Sequence, residues 1–154
     1  MCVQLKKVLY LTFLITFLTF NSQIIANAQT KPAEKFIVNT ITKDFVKTHH
    51  ISFGNYNFVS YREISPNNNL TPSQKSLQNI VKNIAKEQMI GDWAPIIYIN
   101  QENKKGYALE KKLSGMNKLH LLSYEDTSKQ WKVAEDMDKM GTDLADLGLL
   151  KRAN

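Results

Sequence analysis

The feature that most constrains the fold is a helix signal over residues 72–90, which precedes four strand-like segments. Thr71 is a candidate N-cap, Pro72 suits the first helical position, and Gln74 can complete a capping box. The apolar residues that follow at the helical period are Leu77, Ile80, Val81, Ile84 and Ala85. Gly91 is placed to end the helix. The pattern therefore predicts an amphipathic helix with one stripe facing a core.

The strand-like segments are short, and polar turns separate them. They cover residues 94–99, 106–113, 117–124 and 130–135. Such short connections favour antiparallel hairpins. In the second segment the apolar Tyr107, Leu109 and Leu113 alternate with Ala108, Glu110 and Lys112, which is typical of a sheet with one solvated face. We expect the apolar face to pack on the helix stripe.

The rest of the chain completes an α+β pattern. The spacing in residues 33–46 favours a helix, although several of their residue types favour strands. Residues 51–64 favour a hairpin or one bent strand, and residues 142–150 a short terminal helix. The predicted fold is one or two helices packed on a curved antiparallel sheet. This element order resembles the layout of cystatin-like and NTF2-like folds without sharing a motif with them. Those folds host enzymes, inhibitors and binding modules, so the resemblance implies no particular function.

Residues 1–28 have the three parts of a secretory signal peptide. Lys6 and Lys7 form a basic start, residues 8–20 an apolar run, and residues 26–28 a small-x-small cleavage motif. A spanning helix needs about 20 apolar residues, which this run does not reach. We predict export to the periplasm or the cell exterior and a single mature domain of residues 29–154. After cleavage no stable membrane span is expected; the alternative is an N-terminal segment retained as an anchor.

Composition narrows the chemistry of the predicted mature chain. Its 126 residues carry 18 Lys and Arg against 14 Asp and Glu, and two of these, Arg62 and Arg152, are arginine. Mild basicity with so little arginine argues against nucleic-acid binding. The one cysteine, Cys2, precedes the cleavage motif. The mature chain therefore lacks disulfides, thiol nucleophiles and cysteine-based metal sites.

Residues 136–147 resemble an EF-hand calcium loop. Asp136, Asp138 and Gly141 match its first, third and sixth positions, but Met140 and Leu147 stand where two oxygen ligands are needed. The favoured interpretation is an acidic loop that caps the last predicted helix. No metal and no cofactor are predicted, and a weak calcium site at Asp136 and Asp138 is the alternative.

The histidines give no clear catalytic or metal-binding pattern. His49 and His50 are adjacent, so an extended chain would point them to opposite sides, and a zinc site would need His120 or a carboxylate such as Asp44. We interpret His120 as a strand residue near solvent. No serine stands in a G-x-S-x-G context. Catalysis is therefore the less favoured hypothesis.

Aromatic side chains are the remaining candidates for a binding site. Trp93 and Trp131 flank the predicted meander, and with Tyr98 and Tyr107 they could wall a ligand pocket between helix and sheet. The lysine pairs at 104–105 and 111–112 could meet an anionic surface, but we interpret them as solvated hairpin residues.

These observations favour an exported, non-catalytic binding or accessory protein that acts on another macromolecule, either a protein or an envelope component. The alternative is a small-ligand-binding protein or a hydrolase-type enzyme with a pocket between helix and sheet. The sequence does not identify the partner.

Export is directly testable. We expect N-terminal sequencing of the protein recovered from the cell envelope or the medium to begin at Gln29, because the cleavage motif ends at Ala28. Retention of Met1 in that fraction, or a wholly cytosolic location, would contradict the prediction.

Overall fold

The computed structural model describes residues 32–60, 63–65 and 69–150. Two helices lie in these residues, α1 at Pro32–His49 and α2 at Pro72–Glu87. The strands are β1 Asn57–Val59, β2 Trp93–Asn100, β3 Lys105–Lys111, β4 Met116–Glu125 and β5 Gln130–Met140. The predicted signal peptide, residues 1–28, lies outside the described residues. Neither of the two described helices is long and apolar enough to cross a membrane.

The described residues from Ile37 onward form one compact unit, which begins within α1. Its strands follow the order β1-β2-β3-β4-β5, and every neighbouring pair is antiparallel. The pairing of β2 with β3 is irregular between Trp93 and Ile96, where Pro95 has no N–H to donate. A second irregularity, at Leu121 and Leu122, interrupts the pairing of β4 with β5. The meander confirms the predicted α+β class.

The N-terminus of α2 forms as its local sequence predicts. The Gln74 N–H donates to Thr71 Oγ1 at 3.3 Å, and the Thr71 N–H donates to Gln74 Oε1 at 3.0 Å, which closes the capping box. The predicted end of the helix at residue 90 is wrong. The helix ends at Glu87 because Gln88 is extended, and Gly91, at φ +100°, belongs to the turn before β2.

The stripe of α2 packs on the sheet, as predicted, but on the face of Ala108 and not on the face of Tyr107 and Leu109 that the alternation predicted. Leu77, Ile80, Val81 and Ile84 are buried in one cluster with sheet residues Ile97, Ile99, Ala108, Leu122 and Trp131. Burying this stripe supplies the hydrophobic free energy that holds α2 on the sheet.

The opposite face of the sheet, that of Tyr107 and Leu109, packs on α1. The predicted solvated face is therefore wrong, because α2 covers the face of Ala108 and α1 covers the other. Val38, Ile41 and Phe45 of α1 share a cluster with sheet residues Ile96, Tyr98, Leu109 and Leu119. Ala108 and Glu110, predicted to be solvated, are 0% and 1% exposed. Leu113, predicted to be buried, lies beyond the end of β3 and is 43% exposed. The residues of β3 do alternate between the two faces of the sheet, but a helix covers each face, so neither is solvated.

Two further predictions are wrong. Among the described residues of the range 51–64, which leave out 61 and 62, the predicted hairpin or bent strand is reduced to Asn57–Val59, which pairs with β2. Residues 142–150 form turns in place of a helix. Asp143 directs these turns, because its carboxylate accepts the Asp146 N–H at 2.7 Å and its carbonyl accepts the Leu147 N–H at 3.0 Å. Leu144 is nevertheless buried on the α1 side.

Ile84 tests the packing of α2. We expect Ile84→Ala to lower the free energy of unfolding by about 2–5 kcal/mol, because it removes buried carbons and leaves a cavity. Val133→Ala is the control, since Val133 is 44% exposed and its truncation should cost less than about 1 kcal/mol. Urea titration of both variants measures the difference. Equal costs would show that this face of α2 is not core.

Candidate functional site

A buried ion pair joins α1 to the β3–β4 hairpin. The Lys111 and Asp44 side chains are 0% and 4% exposed, and Lys111 Nζ lies 2.7 Å from Asp44 Oδ2. The ammonium also donates to Asn117 Oδ1 at 2.7 Å and to the Gly115 carbonyl at 3.0 Å. Its three protons therefore all have acceptors. The interpretation of Lys111 as a solvated hairpin lysine is wrong, because a counter-charge from α1 makes its burial possible.

The Asp44 carboxylate is equally well satisfied. Asn117 Nδ2 donates to Oδ2 at 2.8 Å, and the Thr142 N–H donates to Oδ1 at 3.2 Å. Burial is the largest influence on the pKa of Asp44 and raises it, but Lys111, Asn117 and Thr142 together outweigh burial and lower the pKa below its usual value. Gly141 fits beside this cluster because a Cβ there would lie 2.5 Å from Asp44 Oδ2. That glycine has a packing role independent of any calcium loop.

His49 closes the same cluster. Its Nε2 donates to the Asn117 carbonyl at 3.1 Å, and its ring stacks on Phe45 with the centroids 5.6 Å apart. Burial, the largest influence, lowers the pKa of His49, so the ring is neutral near pH 7. Its Nδ1 is buried without a hydrogen-bond partner among the described residues. The predicted candidates Asp44 and His49 therefore meet through Asn117, but both are engaged in packing interactions.

A second cluster of charges lies on the α2 face. His120 Nδ1 is 2.7 Å from Asp136 Oδ1, and His120 Nε2 is 3.3 Å from Glu110 Oε2. The Lys112 ammonium binds the other oxygen of Glu110. The interpretation of His120 as a solvent-facing residue is wrong, since it is buried between these strands. Because β4 and β5 are in register at His120 and Asp136, only knowledge of the strand pairing could have revealed this cluster.

Neither the favoured acidic loop before a last helix nor the alternative calcium-like loop forms at residues 136–140, which are part of a strand. Asp136 and Asp138 lie within β5, where they pair with His120 and Lys118 across the strands. Extended backbone cannot wrap around a cation as an EF-hand loop does. Within residues 32–60, 63–65 and 69–150, no three His, Cys, Asp or Glu side chains are grouped so that they could hold a metal.

The four aromatic candidates do not share a pocket, because they lie on both faces of the sheet. Trp131 belongs to the α2 cluster, whereas Trp93, Tyr98 and Tyr107 pack on the α1 side. Phe53 lies 4.4 Å from the Tyr98 ring and 5.4 Å from the Tyr107 ring, measured between centroids. Burial, aided by Tyr56, raises the pKa of Tyr107 to about 12. This aromatic group is a filled part of the core.

Apolar side chains are exposed where the α2–β2 turn meets the β3–β4 turn. Met89, Ile90 and Leu113 are 73%, 102% and 43% exposed, and we call them the apolar tip. Gly91 approaches Leu113 so closely that an added Cβ would lie 2.9 Å from Leu113 Cδ2. The two turns are therefore in contact, and their apolar side chains form one surface.

Asp92 fixes both turns of the apolar tip. Its Oδ2 accepts the Met89 N–H at 2.9 Å and its Oδ1 accepts the Leu113 N–H at 2.9 Å. Lys112 Nζ is 3.4 Å from Oδ2. Burial is the largest influence on the pKa of Asp92 and raises it, yet the two N–H groups and Lys112 together lower it. An ionised Asp92 thus holds the apolar tip in one arrangement. The sequence analysis did not identify the apolar tip. The adjacent apolar residues Met89 and Ile90, which follow the helix stripe, could have indicated it.

The long edge strand β5 is protected from pairing with another chain. It carries five charged residues, Lys132, Glu135, Asp136, Asp138 and Lys139, and the irregularity at Leu121 and Leu122 interrupts its pairing with β4. Charges and bulges of this kind discourage edge-to-edge association. The apolar tip is therefore a better candidate for an interaction surface than β5.

Comparison with protein-family models, curated proteins and solved structures found no match for this chain.

Asp44 tests whether the buried ion pair is structural. We expect Asp44→Asn to lower the free energy of unfolding at pH 7 by about 3–5 kcal/mol, because the buried Lys111 ammonium loses its counter-charge. Asp126→Asn makes the same change in an exposed pair with Lys104 and should cost less than about 1 kcal/mol. Denaturant melts of both variants provide the comparison.

The stabilisation by Asp44 should depend on pH and should be lost in acid. The folded-state pKa of Asp44 lies below its usual value of 3.8, so the stabilisation is complete above 3.8 and is lost as the pH falls through the folded value. Asp44→Asn should lose this part of the acid dependence. Equal stabilities of the two variants at pH 7 would show that the ion pair does not hold α1 on the sheet.

Proposed function

We propose that this protein is an exported, non-catalytic binding protein that contacts a partner protein through the apolar tip. The observation that carries the proposal is the exposure of Met89, Ile90 and Leu113 on two turns that Asp92 clamps together. A core able to bury the stripes of two helices has left these three side chains in solvent. Exposed apolar groups that act together are typical of interaction surfaces.

The clamp supports binding because it prepares the surface in advance. The Asp92 side chain is 1% exposed and bonds to both turns. A surface that is already ordered loses less conformational entropy when a partner binds. Held in this way, Ile90 can enter an apolar pocket on the partner as an anchor side chain.

The charges around the apolar tip favour a protein over a lipid surface or a nucleic acid. Lys112 is paired with Glu110 and Asp92, and Lys118 is paired with Glu87. Anionic membranes and nucleic acids gain their affinity from clusters of unpaired cations. The charges around the apolar tip are paired and of both signs, so the apolar tip is better suited to contact an apolar patch on another protein.

The enclosed charges support a non-catalytic role. Lys111 and Asp44 satisfy one another within the α1 cluster, and His120 is held between Glu110 and Asp136. A general base or nucleophile needs to reach a substrate, and these groups instead contact protein atoms. The location of the protein follows from the N-terminal pattern of residues 1–28, which remains a prediction.

Ile90→Asp tests the proposed surface. We expect it to weaken capture of the partner from an envelope extract at least about tenfold, because a charge would enter a desolvated contact. Val133→Asp is the matched control, since Val133 is an exposed apolar residue on β5 and should be tolerated. Asp92→Ala should weaken capture as well by releasing the clamp. Quantitative mass spectrometry of chemically crosslinked complexes measures all three, with melting temperatures recorded for each variant.

Other occupants of the apolar tip are distinguishable. A protein captured equally by wild type, Ile90→Asp and Val133→Asp would contradict the proposal. Binding to phosphatidylglycerol vesicles that Ile90→Asp abolishes would assign the apolar tip to a membrane. A dimer in sedimentation that the same variant dissociates would assign it to a second copy of the chain.

A further inference from the structure

A cleft of about 510 Å³ lies where the N-terminus of α2 meets the end of β4 and the beginning of β5. Glu63, Gln101, Tyr124 and Trp131 are among the residues that line it. Its volume falls within the range of roughly 300–1,000 Å³ that is usual for small-molecule sites. The cleft is remote from the apolar tip, because the 16 residues of α2 separate the two by about 24 Å.

Two aromatic rings form the inner wall of the cleft. The Tyr124 and Trp131 centroids are 5.2 Å apart, and the rings are tilted by 57°. Trp131 is fixed by two hydrogen bonds to α2: its backbone N–H donates to Ser76 Oγ at 2.9 Å and its Nε1 donates to Ser73 Oγ at 3.0 Å. Trp131 is 4% exposed, so it supports the wall, and the half-buried Tyr124 supplies the accessible ring.

Three polar side chains in the lining have no partner within the described part of the chain. They are the Glu63 carboxylate, the Gln101 amide and the Tyr124 hydroxyl, for which the structure gives no side-chain hydrogen bond. Together they provide an acceptor, a group that both donates and accepts, and a phenol. By contrast, the Ser73 hydroxyl and the Gln74 amide are already used by Trp131 and the helix cap.

The charge of the lining restricts the class of ligand. The described lining residues include the carboxylate of Glu63 and no Lys, Arg or His. An anion would meet Glu63 without a compensating cation, and an aliphatic chain would leave the amide and the carboxylate unsatisfied. A neutral ligand with an apolar face and several hydroxyl groups satisfies every part of the lining.

We propose that this cleft binds a neutral saccharide. The C–H face of a sugar ring packs on the Tyr124 ring, and its hydroxyl groups donate to Glu63 and exchange hydrogen bonds with Gln101. The site is separate from the apolar tip and does not depend on the function proposed for it. It gives the protein a second surface, suited to a glycan chain or to a free oligosaccharide.

The indole N–H of Trp131 reports on the cleft in ¹H–¹⁵N NMR spectra of the labelled protein. Titration with chitobiose, cellobiose and maltotriose at millimolar concentrations should move this resonance saturably for at least one of them. Glu63→Gln and Gln101→Ala should each weaken that binding about tenfold, because the first replaces a charged acceptor by a neutral amide and the second removes a hydrogen bond to the ligand. Ile90→Asp is the control and should leave the saccharide affinity unchanged.

Three results would overturn this inference. The first is no shift of the Trp131 resonance with any of the saccharides. The second is a saturable shift that Glu63→Gln and Gln101→Ala leave unchanged. The third is a shift produced by sodium phosphate or decanoate and not by saccharides. Sedimentation with insoluble chitin, cellulose or peptidoglycan separates the two sources: co-sedimentation assigns the site to a polymer, and binding of the soluble sugars alone assigns it to free oligosaccharides, both within the proposed class.

Discussion

The buried contact between Lys111 and Asp44 is the interaction on which the arrangement of α1, the β3–β4 hairpin and the chain after β5 depends. Two charges taken out of water destabilise a fold unless each is paired and fully hydrogen-bonded. Here Asn117, Gly115 and Thr142 complete the hydrogen bonds of both charges, so the pair ties α1 to the β3–β4 turn and to the chain after β5. Apolar packing brings α1 to the sheet, and the ion pair selects its position there.

A helix on each face leaves the sheet little surface with which to act. Both groups of buried charges are paired with one another inside the domain. The charged side chains of β5 discourage it from pairing with a strand of another chain. The two candidate binding surfaces lie at the two ends of α2: the apolar tip beyond its C-terminus and the cleft beside its N-terminus. The enclosed charges stabilise the domain, whereas the two ends of α2 present exposed apolar side chains and unpaired polar side chains. The proposed functions rest on these two surfaces.

The sequence predicted those elements whose signals are local. The capping box at Thr71 and the stripe from Leu77 to Ile84 lie within a few residues of one another, as do the turns between strands. The errors came from partners distant in the chain. Lys111 seemed solvated because Asp44 stands 67 residues away, and Glu110 seemed solvated because its contact with His120 requires the β3–β4 pairing. The aromatic candidates failed similarly, since a sheet covered on both faces buries Trp131 and Tyr107 on opposite sides.

Site-specific photo-crosslinking in living cells tests the central claim most directly, which is that binding occurs at the apolar tip. A photoreactive amino acid would replace Ile90 in one strain and the exposed Val133 in another. We expect a discrete protein adduct from position 90, its loss when Asp92 is also replaced by Ala, and none from position 133. The same adduct from both positions, or no protein adduct from position 90, would contradict the account.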